Sequence, residues 1–458
     1  MSERIEADIE ANVEADIEAG RLRLARGAAL LGSGGIPGAM PAHGRVVEAI
    51  GTLIKVRGLA ARVGDMCDLT GLSSDFALQA EVVGLGTDYA LLAPLGSMHG
   101  LSTGVAAVSR KRAPEVLVGD ALLGRVLDGM GRPMDGLPPI DRGIAQAVYA
   151  APPAPLTRPL IEHPLAVGVR AIDGLLSCGV GQRIGIFAPA GCGKSTLLGM
   201  IARNADADVN VVALIGERGR EVQEFIHDCL GPEGLRKTVL VVATSDRPAL
   251  ERARAALVAT AIAEYFRERG KAVLLLADSV TRYARALREI GLAGGEPPTR
   301  RAFPPSVFTA LPQLFERAGM SPSGSITAFY TVLEEGEDND DPIAEEVRSL
   351  LDGHIVLSRK LASAGHFPAI DVLASVSRVM PRVAHIPHQR HAARARTLLT
   401  CYKDLEMLIR LGEYKPGHDP EADAAVRLHP GLLGFLRQAT DDRTPFRECL
   451  QRLAEAVQ

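Results

Sequence analysis

The stretch from Arg183 to Thr196, RIGIFAPAGCGKST, contains the residue types that bind phosphate. A short apolar run breaks into glycines and then into a helical pattern that begins at Lys194. Glycines let backbone N–H groups turn toward phosphate oxygens, lysine supplies a positive charge, and the hydroxyl of Ser195 is a ligand for Mg²⁺. The residues expected around the phosphates are Pro189, Ala190, Gly191, Cys192, Gly193, Lys194, Ser195 and Thr196.

The strict form of this motif has glycine where Ala188 stands, and we interpret the alanine as a tolerated small residue. The alternative is a glycine-rich turn that binds no nucleotide. It is disfavoured because the strand, the glycines, the Lys-Ser pair and the helix all occur together. The stretch therefore predicts a nucleotide-binding phosphate loop.

Two carboxylates follow apolar runs elsewhere in the chain. Asp278 closes AVLLLAD, and Glu217 follows VNVVALIG. Ligands of open parallel sheets bind beyond the carboxyl ends of the strands. We therefore expect Asp278 to hold Mg²⁺ through its waters and Glu217 to orient or deprotonate an attacking water. The alternatives are a strand-terminal turn residue for Asp278 and a merely charged turn, GERGRE, for Glu217.

The elements that position these residues alternate between strands and helices. Apolar runs separated by long helical patterns, such as 247–269, predict an α/β fold with a parallel sheet covered on both faces. The runs are IGIFA, VNVVALIG, TVLVVAT, AVLLLAD, SITAFYTVL and HIVLS.

The flanking regions have different patterns. From Arg45 to about Arg112, short β-type pieces divided by glycines predict a small closed barrel. A Gly- and Pro-rich stretch from Gly124 is interpreted as a wrap between domains, and from about Pro387 the pattern is helical. The predicted domains are a leader and linker at 1–43, a β-barrel at 44–112, a nucleotide-binding domain at 113–386 and a helical domain at 387–458.

Composition limits the possible classes of protein. The 458 residues suffice for about three domains with sizeable cores. A net charge of −4 gives no reason to expect tight, sequence-independent binding to nucleic acid. Scattered cysteines without a C-x-x-C pair favour a reducing cytosol, and no apolar run approaches the about 18 residues that span a bilayer.

The first 20 residues contain a short duplication, IEADIEAN followed by VEADIEAG. It places Ile5, Ile9, Val13 and Ile17 four residues apart among many carboxylates, which predicts an amphipathic acidic helix suited to a groove on a partner. The alternative is a solvated, frayed tail.

Three histidines, His385, His388 and His391, are spaced three residues apart. A metal site is disfavoured because Pro387 is expected to interrupt the helix that would align them. The preferred interpretation is a solvated basic surface shared with Arg390, Arg394 and Arg396.

Several motifs in order resemble one known family, the hexameric rotary-type ATPases related to the catalytic subunits of F- and V-type ATPases. Within that family the chain is most similar to the ATPases of type III secretion, from about Gly44 to the C-terminus. The motifs are FAPAGCGKSTLLGMIAR, LIGERGREVQEF, LLLADSVTRYARALREIG, GEPPTRRAFPPSVFTALPQLFERAG and FPAIDVLASVSRVM. The resemblance implies a RecA-like nucleotide-binding domain. A departure occurs at Ala302-Phe303, where many relatives have Gly-Tyr.

The resemblance also implies roles for individual residues. Lys194 and Ser195 would bind phosphate and Mg²⁺, and Glu217 would be the catalytic base. Arg218 and Arg282 would border the γ-phosphate, and Arg378 would be an arginine finger inserted into a neighbouring subunit's site. Phe367 would pack on adenine, and Phe446 is either its second face or an ordinary core residue.

The activity that the resemblance implies is Mg-ATP hydrolysis by a homohexamer of a type III secretion apparatus, releasing substrates from chaperones and unfolding them for export. Implied partners are a stator protein, a central stalk protein, the export gate and chaperone–substrate complexes at the cytoplasmic face of the inner membrane. A flagellar export ATPase is the first alternative. A nucleic-acid translocating ring is disfavoured because 334–341, EEGEDNDD, is acidic. In rotary relatives this loop faces the central pore, where six copies would form a negative collar; the alternative is a solvated loop.

Overall fold

The computed structural model describes residues 43–71, 76–140, 142–334 and 341–458. The predicted acidic leader and the centre of the acidic loop, 335–340, lie outside these residues.

The N-terminal region is a closed six-stranded barrel in the order β1-β2-β5-β4-β3-β6, as predicted. Alternate side chains of its strands, such as Val56, Leu69 and Leu92, fill the interior. The strand that the pattern did not reveal is β3. The strands are β1 Gly44–Ile50, β2 Leu53–Arg57, β3 Met66–Thr70, β4 Ala77–Leu85, β5 Tyr89–Pro94 and β6 Ala106–Ser109.

A mostly parallel sheet forms the centre, in the order β19-β18-β12-β17-β15-β13-β14-β8, with β16 beside β17. All six predicted strands are present. β19 is an antiparallel edge strand on β18, and the pairs β7-β9 and β10-β11 stand apart from the sheet. The bounds are β7 Glu115–Val118, β8 Val126–Asp128, β9 Ile144–Ala147, β10 Pro164–Leu165, β11 Cys178–Gly179, β12 Arg183–Ala188, β13 Val209–Ile215, β14 Thr238–Ala243, β15 Ala272–Asp278, β16 Gly319–Met320, β17 Ser325–Leu333, β18 Gly353–Leu357 and β19 Ile370–Ser377.

Helices cover both faces of this sheet, and the last three form the helical C-terminal region. Their bounds are α1 Arg170–Leu175, α2 Lys194–Asn204, α3 Gly219–Glu224, α4 Gly231–Arg236, α5 Ala249–Glu268, α6 Val280–Ala293, α7 Pro305–Phe315, α8 Pro342–Leu350, α9 Arg359–Ser363, α10 Met380–Val383, α11 Ile386–Leu411, α12 Pro420–Leu436 and α13 Phe446–Ala456. A π-helical segment, Phe225–Leu230, joins α3 to α4. No helix in the described part of the chain is both long and apolar enough to cross a bilayer.

Strand β13 shows how the core is divided. Val211 and Ala213 pack on one face of the sheet with α5 and α6, whereas Val212 and Leu214 pack on the other with α2. Both faces are buried, which explains why the strand is a continuous apolar run rather than an alternating one. The sheet edge at the carboxyl ends of the strands is therefore a rigid platform for polar side chains.

Two expectations about the flanking segments need correction. The stretch from Gly124 is not only a wrap, because β8 within it pairs with β14 and extends the sheet. Pro387 does not interrupt a helix; it lies in the first turn of α11, where a missing N–H costs nothing. Ala302, noted above as a departure, has a φ of +65°, in the left-handed region that favours glycine.

The predicted basic surface on α11 is also partly wrong. The ring of His388 is buried and its Nε2 lies 2.7 Å from the carbonyl oxygen of Gly174. Arg396 donates to the backbone oxygens of Leu175, Val372 and Ser375, and so ties α11 to the sheet. Within the described residues, no group of three or more His, Cys, Asp or Glu is arranged to hold a metal ion.

Candidate active site

The phosphate loop lies between the end of β12 at Ala188 and the start of α2 at Lys194. Gly191 and Gly193 have φ values of +80° and +83°, which most side chains disfavour. Ala190, Gly191, Ser195 and Thr196 are exposed, whereas Cys192 is buried beneath the loop. The first N–H groups of an α-helix lack intrahelical partners, so this exposed helix start can bind an anion.

The ammonium group of Lys194 meets a buried carboxylate. Its Nζ lies 2.5 Å from Oδ1 of Asp278, and the Thr331 hydroxyl donates to the same oxygen at 2.7 Å. Strands β15 and β17 are parallel neighbours, with Ala277 opposite Tyr330, so Asp278 and Thr331 occupy adjacent strand ends. Thr331 was not predicted as a site residue, although a polar residue near the end of a buried strand was a usable signal.

Glu217 lies two residues beyond the end of β13 and is 8% exposed. Its carboxylate is 3.6 Å from Nζ of Lys194 and 3.3 Å from Nη2 of Arg282. Among the described residues, its Oε1 has no hydrogen-bond partner. A buried carboxylate held between two cations, with an oxygen that faces Lys194 and accepts no hydrogen bond, is suited to orient a water.

Burial is the largest cause of an altered pKa at Glu217. Together with a hydrogen bond to Glu221 and the charge of Asp278, it raises the pKa of Glu217 to about 7, against the opposing effects of Lys194 and Arg282. The same hydrogen bond lowers the pKa of Glu221. A general base works best with a pKa near the operating pH, so this environment fits that role.

The two arginines near Glu217 have different environments. The side chain of Arg282, on α6, packs against Gly216 and reaches Glu217. Arg218 caps the start of α3, and its side chain is 76% exposed and 3.8 Å from Glu221. The described contacts thus bring Arg282 into the site and leave Arg218 at its rim.

Phe367 lies beside the phosphate loop. A Cβ added to Gly193 would be 3.7 Å from two carbons of its ring, and nearly half of the residue is exposed. The backbone N–H of Gln438 donates to the carbonyl of Phe367 at 2.9 Å. The Gln438 side chain in turn bonds to Gly168 and Arg170, so the segment after α12 holds the loop that carries Phe367.

Phe446, the other aromatic candidate, is partly buried at the start of α13. Its ring packs edge-on against His388 with centroids 6.2 Å apart. This contact favours the packing role over the adenine-binding one.

Arg378 follows β19 and is exposed. Its Nη2 donates to the backbone oxygen of Arg348 at 3.4 Å, and its own N–H donates to Asp352. An exposed guanidinium beyond a sheet edge is available to an adjacent molecule.

The residues present fit a magnesium ion bound with nucleotide. Ser195 offers an exposed hydroxyl at the start of α2, and Asp278 offers a carboxylate at the end of β15. Both are oxygen donors, and Mg²⁺ characteristically uses one or two protein oxygens while waters and phosphates complete its coordination.

A phosphate loop between a parallel strand and a helix, with carboxylates at neighbouring strand ends, defines a P-loop nucleotide hydrolase. Residues 168–377 match the nucleotide-binding domain of the ATP synthase alpha/beta family, 46–110 match the beta-barrel domain of that family, and 385–455 match the T3SS EscN ATPase C-terminal domain. The chain belongs to the type 3 secretion system ATPases of the ATP synthase alpha/beta family.

Its similarity to known proteins is extensive. The type 3 secretion system ATPase of Xanthomonas euvesicatoria is 54% identical over 91% of this chain and 94% of its own length. The flagellum-specific ATP synthase of Bacillus subtilis is 48% identical over 90% of this chain and 94% of its own length. Among solved structures, the assembled ATPase EscN from the enteropathogenic E. coli type III secretion system matches with a TM-score of 0.87 and 51% sequence identity. The match covers 91% of this chain and 100% of the EscN chain. These similarities confirm the predicted family, and the chain is an ATP-hydrolysing enzyme of it.

Proposed function

We propose that the chain is the Mg-ATP-hydrolysing homohexamer of a type III secretion apparatus, in which each active site is shared by two protomers. The observation that supports this proposal is the contrast between two charged groups. Glu217 is buried beside Lys194 and Arg282, whereas Arg378 is exposed at the edge of the sheet.

The phosphate loop would bind the triphosphate through its backbone N–H groups and Lys194. Ser195 would ligate Mg²⁺ directly and Asp278 through waters; when bound, the ion neutralises charge on the phosphate oxygens. Glu217 would accept a hydrogen bond from the attacking water through Oε1, which faces Lys194 but accepts no hydrogen bond, and would take up its proton. Arg282 would keep that carboxylate oriented, and Arg218 would approach the γ-phosphate from the rim.

Arg378 would enter the site of the adjacent protomer and neutralise charge on the transferred phosphoryl group. Such an arginine is worth about 10³ to 10⁵ in turnover. A homohexamer suits a chain that carries both the base and the finger, because every interface can then be catalytic. Phe367 would stack on the adenine.

We further propose that the ring acts in the cytoplasm at the inner membrane, where it releases export substrates from chaperones and unfolds them. Its partners would be a stator protein that binds the acidic leader, a central stalk protein and the export gate. One solved relative, EscN, is described in complex with its central stalk EscO. A flagellar export role is the second candidate, supported by the flagellar relative at 48% identity.

Mixing inactive chains tests the shared site. Arg378→Ala chains should bind nucleotide but hydrolyse almost none, and Lys194→Ala chains should lose binding as well. When their subunits exchange, an intact Lys194 site can meet an intact Arg378, and hydrolysis should partly return. Failure to recover activity, once labelled subunits have been shown to exchange, would contradict a finger that acts on the neighbouring site.

A further inference from the structure

Glu334 connects the end of β17 to the phosphate loop. Its backbone N–H donates to the carbonyl of Ala188 at 3.1 Å, immediately before the loop begins at Pro189. Its carboxylate forms an ion pair with Arg348, in which Nη2 donates to Oε1 at 2.9 Å. One residue therefore binds both the phosphate-loop strand and helix α8.

Arg348 lies in the last turn of α8 and has a second contact with the same strand. Its guanidinium carbon is 4.6 Å from the ring centroid of Phe187, the residue before Ala188. The side chains of Arg348 and Glu334 are 31% and 22% exposed. A partly buried ion pair stacked on an aromatic ring is restrained more strongly than a surface pair.

The backbone oxygen of Arg348 is available at the end of this helix. In a continuing α-helix, the N–H of residue 352 would bond to the oxygen of residue 348. The N–H of Asp352 instead donates to Arg183, at the start of β12. The freed oxygen accepts from Nη2 of Arg378 at 3.4 Å. The negative end of the helix dipole adds to the attraction for this guanidinium.

We propose that the Glu334–Arg348 pair is a positioning device, which ties the setting of Arg378 to the phosphate loop of its own chain. Displacement of Ala188 moves Glu334, the ion pair carries the end of α8 with it, and the Arg348 oxygen moves beneath Arg378. This inference rests on the proposed role of Arg378 in the neighbouring site. Its consequence is that the phosphate loop of one protomer adjusts catalysis in the next.

The test places Arg348→Met in one or the other partner of the mixed-chain experiment. In the first mixture, Lys194→Ala/Arg348→Met chains donate the finger to Arg378→Ala chains. In the second, Lys194→Ala chains donate the finger to Arg378→Ala/Arg348→Met chains. Recovered hydrolysis should fall about tenfold in the first mixture, since small misplacements of a catalytic group are costly, and should stay within about twofold of the parent mixture in the second.

Two further variants guard against a folding defect. Arg348→Lys can still pair with Glu334 and should retain most of the recovery in the first mixture, whereas Glu334→Gln should reproduce the loss. The control is the barrel pair of Lys55 and Glu48, which are 2.8 Å apart and have side chains 35% and 43% exposed. Glu48→Gln in the finger chain should change nothing, and thermal unfolding should show that each variant is folded.

The outcomes separate this inference from the function on which it rests. No recovery in the parent mixture would overturn both. Recovery in the parent with an equal loss in the two test mixtures would show that Arg348 supports its own nucleotide site, and would overturn the inference alone. Unchanged recovery in the first mixture would also overturn it.

Discussion

Lys194 and Asp278, 84 residues apart in the chain, meet with Nζ 2.5 Å from Oδ1. The contact joins the helix of the phosphate loop to the end of the strand two positions away in the sheet. Asp278 is buried and also accepts a hydrogen bond from Thr331. The lysine is therefore held in one place by protein contacts alone, without phosphate. The site is therefore preorganised by a charge pair that lies within it.

Replacing Asp278 with asparagine should keep the fold and reduce hydrolysis. Asparagine fills the same volume and can accept from Thr331, but it removes the charge that holds Lys194. We expect turnover to fall about ten- to hundredfold, since hydrogen bonds between charged groups contribute about 1.5–3 kcal/mol. Thr331→Val removes one hydrogen bond to Asp278 but leaves the charge that holds Lys194, so its cost should be smaller. Equal effects in a steady-state ATPase assay would contradict this ranking.

Glu217→Gln should bind ATP and fail to hydrolyse it. Loss of a general base lowers rates by about 10² to 10⁴, whereas the phosphate loop and Lys194 remain intact. Nucleotide affinity measured beside turnover separates the two effects. Glu224→Gln, which disrupts an exposed pair with Arg220, is the control and should behave as wild type. Near-normal turnover in Glu217→Gln would transfer the role of the base to Glu221.

The pH dependence of hydrolysis should report the environment of Glu217. The base works when ionised, and its pKa is raised to about 7, so kcat/KM should rise with pH and level off above neutrality. The hydrogen bond to Glu221 is one of the causes that raise this pKa. Glu221→Gln should therefore move the rising limb to lower pH. A limb that moves to higher pH, or stays in place, would argue against this coupling.

Phe367 and Phe446 should differ in what their replacement changes. Phe367→Ala should raise the Kd of ATP about five- to hundredfold, since stacking on a base is worth about 1–3 kcal/mol. Phe446→Ala should chiefly lower the unfolding temperature, because that ring packs on His388. Nucleotide titration and thermal unfolding of both variants distinguish the roles. A comparable loss of affinity in Phe446→Ala would instead support the predicted second face of the adenine site.

The acidic loop should divide into two groups of residues. Glu334 pairs with Arg348 and Asp341 caps the N–H groups of Ile343 and Ala344, so both carboxylates already have partners within the chain. The remaining carboxylates lie outside the described residues and stay a sequence prediction. Neutralising Glu335, Glu337, Asp338 and Asp340 together should weaken stimulation by a basic stalk protein and leave basal hydrolysis unchanged. Equal stimulation of variant and wild type would identify the loop as solvated surface.

The sequence was sufficient to predict the barrel, the six central strands and the phosphate loop, because each depends on local periodicity or a contiguous motif. β8 was missed because a three-residue strand in a Gly-rich stretch resembles a linker until β14 is known to lie beside it. β19 was missed because it is an edge strand, and its half-exposed residues lack the continuous apolar character of the interior strands.

The parts of the site that escaped prediction depend on contacts between distant residues. Thr331 could be assigned to Asp278 only once β15 and β17 were known to be neighbours. The basic surface predicted on α11 was wrong at Arg396 because backbone oxygens of other elements accept its hydrogen bonds. Strand order and helix docking arise from tertiary packing, which no local pattern contains.

Gln438 gives the C-terminal helices a hold on the loop that carries Phe367. Its N–H binds the carbonyl of Phe367, while its side chain binds the backbone of Gly168 and Arg170. A force that shifts the segment after α12 must therefore carry the Phe367 ring with it or break these bonds. When the ring is carried along it leaves its place over Gly193, and we therefore expect mechanical load on the C-terminal helices to shorten the residence time of bound nucleotide.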